Sequence, residues 1–384
     1  MRRASTATSV AMQNGFSHAM RQKTDTHVAW LANFHVAVAL AFMVKGVAVV
    51  ILDYAPVVLP RDLAKLGTAV MYFTFAVGCF GVAGPVIQRL GCKRALVFSL
   101  SLLDVNYVLF CICAFIGPCN AQWPLFITGM LFEGLGASIG LTLVCLYMTR
   151  TGAILAKESP GETESQITVN LGGSLGAWSL GTEVLFKLAT SATQDMQVSM
   201  LVIMVAQTLV AVLCTALLGL TRDLPEAEEE DDEKAEKSVL GETRAFFALW
   251  LDPCIWLLGL TNFSFAFLDA LMINYVNPEF LAPMLGDSSI GLCMAVASLS
   301  GALLSKPYGF LGACLGKVVP LALGALSFAL VILIVRFTSL PTSGGWLILI
   351  LYVLLGSGRA VVEGVNRAVF ADFFVGPVLL NAAY

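Results

Sequence analysis

Charge is what this sequence has least of. Only 12% of its 384 residues are Asp, Glu, Lys or Arg, against 58% hydrophobic, and the mean hydropathy is +0.84. Soluble domains carry about 25% charged residues, and no soluble core of this length hides so much apolar surface, so a soluble fold is excluded. The formal net charge of -4 is misleading, because the acid is concentrated between Glu226 and Glu236. Nowhere does the chain gather the basic face that nucleic acid requires, and none is expected as a partner. Histidine is nearly absent: His18, His27 and His35 all lie near the N-terminus. There is no HExxH, nucleophile elbow, P-loop or zinc spacing, so no enzyme activity, cofactor or metal is expected. The cysteines, among them Cys79, Cys111, Cys113, Cys145, Cys214 and Cys293, fall inside apolar runs without CxxC spacing and read as small packing residues. A channel is disfavoured, since there is no filter-like loop and no ring-forming repeat. Residues 1–26 hold Arg2, Arg3, Arg21 and Lys23 but no apolar core, which excludes a cleavable secretory signal. They read as a cytosolic tail, with a transit peptide as the alternative.

What is present is a succession of long apolar runs. A helix needs about 20 mostly apolar residues to cross the hydrocarbon core, and ten windows qualify: Trp30–Leu52, Leu66–Ile87, Ala95–Ile116, Pro124–Met148, Ile167–Ala189, Val198–Leu220, Asp252–Val276, Ser289–Leu311, Val318–Phe337 and Trp346–Phe370. A further apolar segment, Phe373–Ala383, is too short to span and reads as an eleventh helix begun and cut off. Basic residues set the orientation. Arg21, Lys23, Arg89, Lys93, Arg94, Arg150, Lys157, Arg222, Lys234, Lys237, Arg244 and Lys317 fall on one side of the alternating spans, and Arg61, Lys65 and Arg336 on the other. The N-terminus and the acidic run are therefore expected in the cytosol.

That acidic run, inside Arg222–Arg244, is too polar for lipid and long enough to tether two bundles. The expected organisation is a cytosolic tail (1–29), a six-helix bundle (30–220), an acidic linker ending in an interfacial segment (221–251) and a partial second bundle (252–384). Asp252 and Pro253 suit the cap and first turn of the next helix.

The two bundles echo one another. GPVIQRLGCKR follows the second span, with Gly84 and Gly91 seven apart and Lys93 close behind; GFLGACLGK follows the eighth, with Gly309 and Gly316 seven apart and Lys317 next. Gly134-Leu135-Gly136-Ala137 in the fourth span is matched by Gly356-Ser357-Gly358-Arg359-Ala360 in the tenth. Two echoes at matching spans indicate a six-plus-six parallel repeat.

The first of these loops resembles the major-facilitator signature GxxxDRxGRK at Gly84, Arg89, Gly91 and Lys93 or Arg94, with Gln88 in the place of its Asp. Leu90-Gly91-Cys92-Lys93 is similar to the LGCKW of the uncoordinated-ninety-three branch of that superfamily. GLGASIGLTLVCLYMT keeps that branch's Gly134, Leu135, Gly136, Ala137, Tyr147 and Thr149, with Leu141 and Val144 in place of a Trp and a Gln. The resemblance implies an all-α integral membrane, major-facilitator-type helical bundle of six helices plus at least four. It implies that Gly84, Arg89, Gly91 and Lys93, and their echoes Gly309, Gly316 and Lys317, form gating loops. It also implies that the first, fourth, seventh and tenth spans line a central cavity. Some members of the branch regulate or escort other membrane proteins.

An ionisable residue inside a span is a site hypothesis by default. Lys45, Glu133, Asp269, Arg359 and Glu363 lie in the first, fourth, seventh and tenth spans and are the candidates for a substrate or coupling cavity. In the tenth span, Arg359, Glu363 and Arg367 stand at i, i+4 and i+8, a ladder expected to satisfy itself. Asp104 and Asn106 share the third span. Glu183 and Lys187, also four apart, are placed near the outer end of the fifth and read as interfacial. Asn262 and Asn274 flank Asp269. Two functions follow. One is a secondary transporter of a small solute or ion, with Glu133 or Asp269 as the coupling acid. The other is a non-transporting regulator of another membrane protein, a channel or a receptor.

Overall fold

The computed structural model of the chain describes residues 2–158, 162–196, 198–223, 251, 253–285, 288–337 and 345–373, with side chains for most of those from residue 27 onward. The acidic run Glu226–Glu236, the linker around it and the apolar stretch beyond Phe373 lie outside the described residues. All regular structure among the described residues is helical.

The ten apolar windows are helical over most of their described residues. α1 runs Arg2–Val58, so the segment expected as a separate tail is continuous with the first span; its Ala, Met, Gln and Arg content favours helix. The second window is two helices, α2 (Arg61–Gly81) and α3 (Ala83–Leu90), bent by 58° at Val82. α4 (Cys92–Ile116), α5 (Gln122–Glu158), α6 (Glu164–Asp195) and α7 (Met200–Leu218) complete the first six windows. α8 begins as Pro253–Leu271 and continues through a π-helical stretch, Met272–Leu281, into Ala282–Leu285. α9 is Ser288–Leu315 and α10 is Val318–Phe337. α11 comprises Gly345–Ala360, the π-helical Val361–Asn366 and Arg367–Phe373. Among the described residues six helices (α1, α4, α5, α7, α10 and α11) are long and apolar enough to cross a membrane, and the bent α2–α3 pair makes a seventh. α6 carries Glu183 and Lys187, and it sits inside the molecule, where protein rather than lipid meets those polar groups.

One core cluster is built from α1 to α7, with Phe34, Tyr107, Phe110, Phe126 and Met148 fully buried. A second joins α8 to α11 through Leu268, Met272, Phe328, Leu351 and Tyr352. A small third cluster bridges them, where Val169 of α6 meets Val361, Val365, Ala368 and Val369 of α11. Along this junction α6 is a row of small residues. A Cβ on Gly172 would stand 2.8 Å from the carbonyl of Gly364, and one on Gly173 would stand 3.0 Å from Cα of Gly309. Backbones approach that closely in membranes only where side chains are missing, and the dispersion gained holds the helices together.

The internal repeat is visible in the packing. Gly134 of α5 lies on α2 at Met71 and Thr74, and Gly136 lies on α4 at Ser99; Gly356 of α11 lies on α9 at Ala297 and Ser300, and Gly358 lies on α10 at Phe328. In each half, the first glycine of the motif seats the fourth helix on the second, and the next glycine seats it on the third.

Candidate functional site

The turns after the second and eighth windows share one construction. Gly91 (φ 73°) and Gly316 (φ 89°) adopt the left-handed backbone that side chains disfavour. Each is followed by a lysine that reaches a backbone carbonyl: Lys93 Nζ donates to that of Thr221 just beyond α7 at 2.5 Å, and Lys317 Nζ donates to that of Ala368 within α11 at 3.0 Å. The Lys93 cation at the carbonyl end of α7 also favours the dipole of that helix. Gly84 sits in the first turn of α3, and Arg89 is exposed in its last. Gly309 is not in a turn at all. It lies inside α9 against Gly173, because the helix continues to Leu315 before the chain reverses.

The five ionisable candidates separate into two places. Lys45, Asp269, Arg359 and Glu363 converge at the junction of the two bundles. α1 points Lys45 at α6, where its Nζ donates to Ser179 Oγ at 3.0 Å and lies 4.0 Å from Glu183 and 3.9 Å from Glu363. Arg359 extends from α11 to Glu183, one guanidinium nitrogen reaching both carboxylate oxygens at 3.1 Å and another reaching Ser298 Oγ of α9 at 3.4 Å. Ser298 donates in turn to Glu183 at 3.2 Å, and the Arg359 guanidinium lies 5.8 Å from the centre of the Phe265 ring. Glu363 accepts from Arg367 at 2.5 Å and from Ser179 at 3.4 Å. Asp269 of α8 lies within electrostatic reach of Arg359, Lys187, Glu183 and Glu363.

Two expectations are corrected here. Glu183 and Lys187 are not interfacial. Glu183 is 2% exposed and is the centre of the cluster, and Lys187, 3.9 Å from it, is 7% exposed. Counting from the end of the apolar window placed them outward, but α6 is longer than the window and α9 covers this stretch. The Arg359–Glu363–Arg367 ladder is also only half formed. Glu363 pairs with Arg367, while the strong contacts of Arg359 go to Glu183 across the junction. The π-helical turn Val361–Asn366 accounts for this, since its wider winding shifts the register between residues 359 and 363. Glu183, Ser179 and Ser298 were not candidates in the sequence. Serines give no signal in a helix, but an intramembrane glutamate had the same claim as the others.

Glu133 stands apart from this cluster, which corrects its expected place in a shared cavity. It is 2% exposed on α5, turned toward α4, where Asn106 donates to it. Among the described residues no basic side chain is within ion-pair range of it. The fourth span does approach the junction, but Glu133 is on its other face. Of the remaining polar residues, Asn262 accepts from Asn366 at 2.8 Å, a helix-to-helix bond, and Trp178 donates to His35 at 3.2 Å, so that imidazole is packed rather than ligating.

Two helical bundles, related by an internal repeat and joined over a buried ionic seam, define an all-α integral membrane protein with the major-facilitator fold. Comparison with solved structures bears this out. The chain superposes on the proton:xylose symporter XylE bound to 6-bromo-6-deoxy-D-glucose with a TM-score of 0.65, at 13% identity over 94% of this chain and 86% of that one. A partially occluded inward-open conformation of the xylose transporter XylE from E. coli gives 0.61, at 13% identity over 92% and 87%. The nucleoside transporter NupG gives 0.58, at 12% identity over 92% and 85%. No family model and no curated protein sequence matches the chain.

Proposed function

We propose that this protein is a secondary transporter that moves a small solute by alternating access, and that the ionic cluster at the bundle junction is its solute and coupling site. One observation carries the reading: charged side chains from α1, α6 and α11, with Asp269 of α8, meet at mid-helix between the two bundles, where rocking of one bundle against the other would make and break their contacts. The solved transporters of similar fold support the same reading. Asp269 is the coupling acid of this proposal rather than Glu133, because only Asp269 belongs to the cluster that both bundles share. With the N-terminus in the cytosol, as the distribution of basic residues argues, the Gly91 and Gly316 turns face the cytosol. The Leu90-Gly91-Cys92-Lys93 loop and the Gly134–Thr149 stretch favour the uncoordinated-ninety-three-like branch of the superfamily.

The test is reconstitution of the full chain in proteoliposomes with a panel of labelled solutes. The expected result is saturable uptake that Asp269→Asn uncouples from an imposed proton gradient while solute exchange persists. No uptake of any solute, together with stoichiometric co-purification of another membrane protein, would establish the regulatory role instead.

A further inference from the structure

Among the described residues the cluster is richer in cations than in anions. Lys45, Lys187, Arg359 and Arg367 meet Glu183 and Glu363, with Asp269 in electrostatic reach, four positive side chains against three negative ones. Two of the cations are also only partly engaged. Arg359 is 7% exposed, yet it meets Glu183 through a single nitrogen, and its Nε is buried without a hydrogen-bond partner. A guanidinium presents a fork suited to bidentate contact with a planar anion, and here one donor of that fork is left over among the described residues. Lys45 has a side chain 36% exposed. Of its three donors, one reaches Ser179 at 3.0 Å, while the carboxylates of Glu183 and Glu363 are at 4.0 and 3.9 Å, beyond hydrogen-bond range. Both cations approach the same oxygen of Glu183, Arg359 at 3.1 Å and Lys45 at 4.0 Å, so one small ligand can touch both.

We infer that the solute is an organic anion, a small carboxylate, held between Lys45 and the unpaired Nε of Arg359. The inference rests on the transporter reading for its consequence, but not for the binding site itself. An uncharged solute could accept from the orphan Nε but would leave the positive surplus uncompensated, and a cationic solute would meet Lys45 head-on. A carboxylate supplies the missing negative charge and acceptors for both donors. Its arrival would also draw Lys45 away from the two glutamates, so that binding changes the contacts across the junction.

The experiment compares shape-matched probes on the detergent-purified full chain. Acetate, lactate and benzoate are set against acetamide, lactamide and benzamide, and benzoate also against benzylamine, with thermal stabilisation as the readout. The expected result is stabilisation by at least one carboxylate and none by its amide, with Lys45→Gln weakening the apparent affinity about tenfold or more, as the loss of a charge-assisted hydrogen bond predicts. Arg359→Lys, which keeps the charge on Glu183 countered, is expected to retain the fold and weaken binding similarly, because an ammonium lacks the fork. Stabilisation by amides or by benzylamine equal to that by carboxylates, no stabilisation by any carboxylate, or indifference of carboxylate binding to Lys45→Gln would each overturn the assignment. Carboxylate binding in detergent without uptake in proteoliposomes would retain the anion site and reject the transporter. Saturable uptake of an uncharged or cationic solute alone would do the reverse.

Discussion

The molecule buries carboxylates in two places and stabilises them in opposite ways. At the junction, Glu183 and Glu363 are surrounded by cations from three helices. Inside the first bundle, Glu133 has only the amide of Asn106 among the described residues. The first arrangement ties the two bundles together, whereas the second ties α4 to α5 within one bundle. The contrast locates the proposed site by the helices its charges connect, not by burial alone.

The largest effect should come from breaking the junction pair. Arg359→Met leaves Glu183 buried without its closest partner, which costs about 3–5 kcal/mol, and thermal unfolding of the purified protein checks it. Asn106→Leu comes next. It strips the one donor from Glu133 and is expected to cost about 1–3 kcal/mol, read in the same assay, with solute uptake retained by the protein that survives. Lys45→Gln should shift stability by about 1 kcal/mol or less, since that side chain is partly solvated and its ion pairs are long, but it should abolish or strongly reduce uptake. Glu133→Gln should be the mildest, within about 0.5 kcal/mol of the parent, because a glutamine can still accept from Asn106 and can donate to its buried, unpartnered Oδ1. Uptake lost in Glu133→Gln but intact in Lys45→Gln would invert the roles assigned to the two places.

The helices themselves were legible in the sequence because lipid demands long apolar runs, and the windows from Trp30–Leu52 to Trp346–Phe370 proved helical over most of their described residues. The repeat was legible for a related reason: close backbone contacts admit only glycine, so Gly134, Gly136, Gly356 and Gly358 stand out in the sequence and perform matching tasks in the fold. What hydropathy did not convey was direction. Glu133 and Lys45 look alike on a hydropathy scale, yet one faces α4 and the other the second bundle, because helix rotation depends on packing partners far away in the chain. The bend at Val82 stands between Gly81 and Gly84-Pro85 and the π-helical stretch of α8 contains Pro278, marks the apolar windows passed over; the turn at Val361–Asn366 has no proline, and it is what sends Arg359 to α6. Glu183 was visible but misplaced, since the apolar window understated the length of its helix.

The account turns on the charges of the junction serving transport rather than folding. The measurement that separates the two is uptake by a Glu183→Gln/Arg359→Met double variant, which removes both members of the pair, although it also takes from Lys187 the carboxylate 3.9 Å away. A role in transport predicts a protein that folds, reaches the membrane and shows no uptake of the solute the parent carries. Uptake at the parental rate would show that the ion pair is structural and that the solute passes elsewhere.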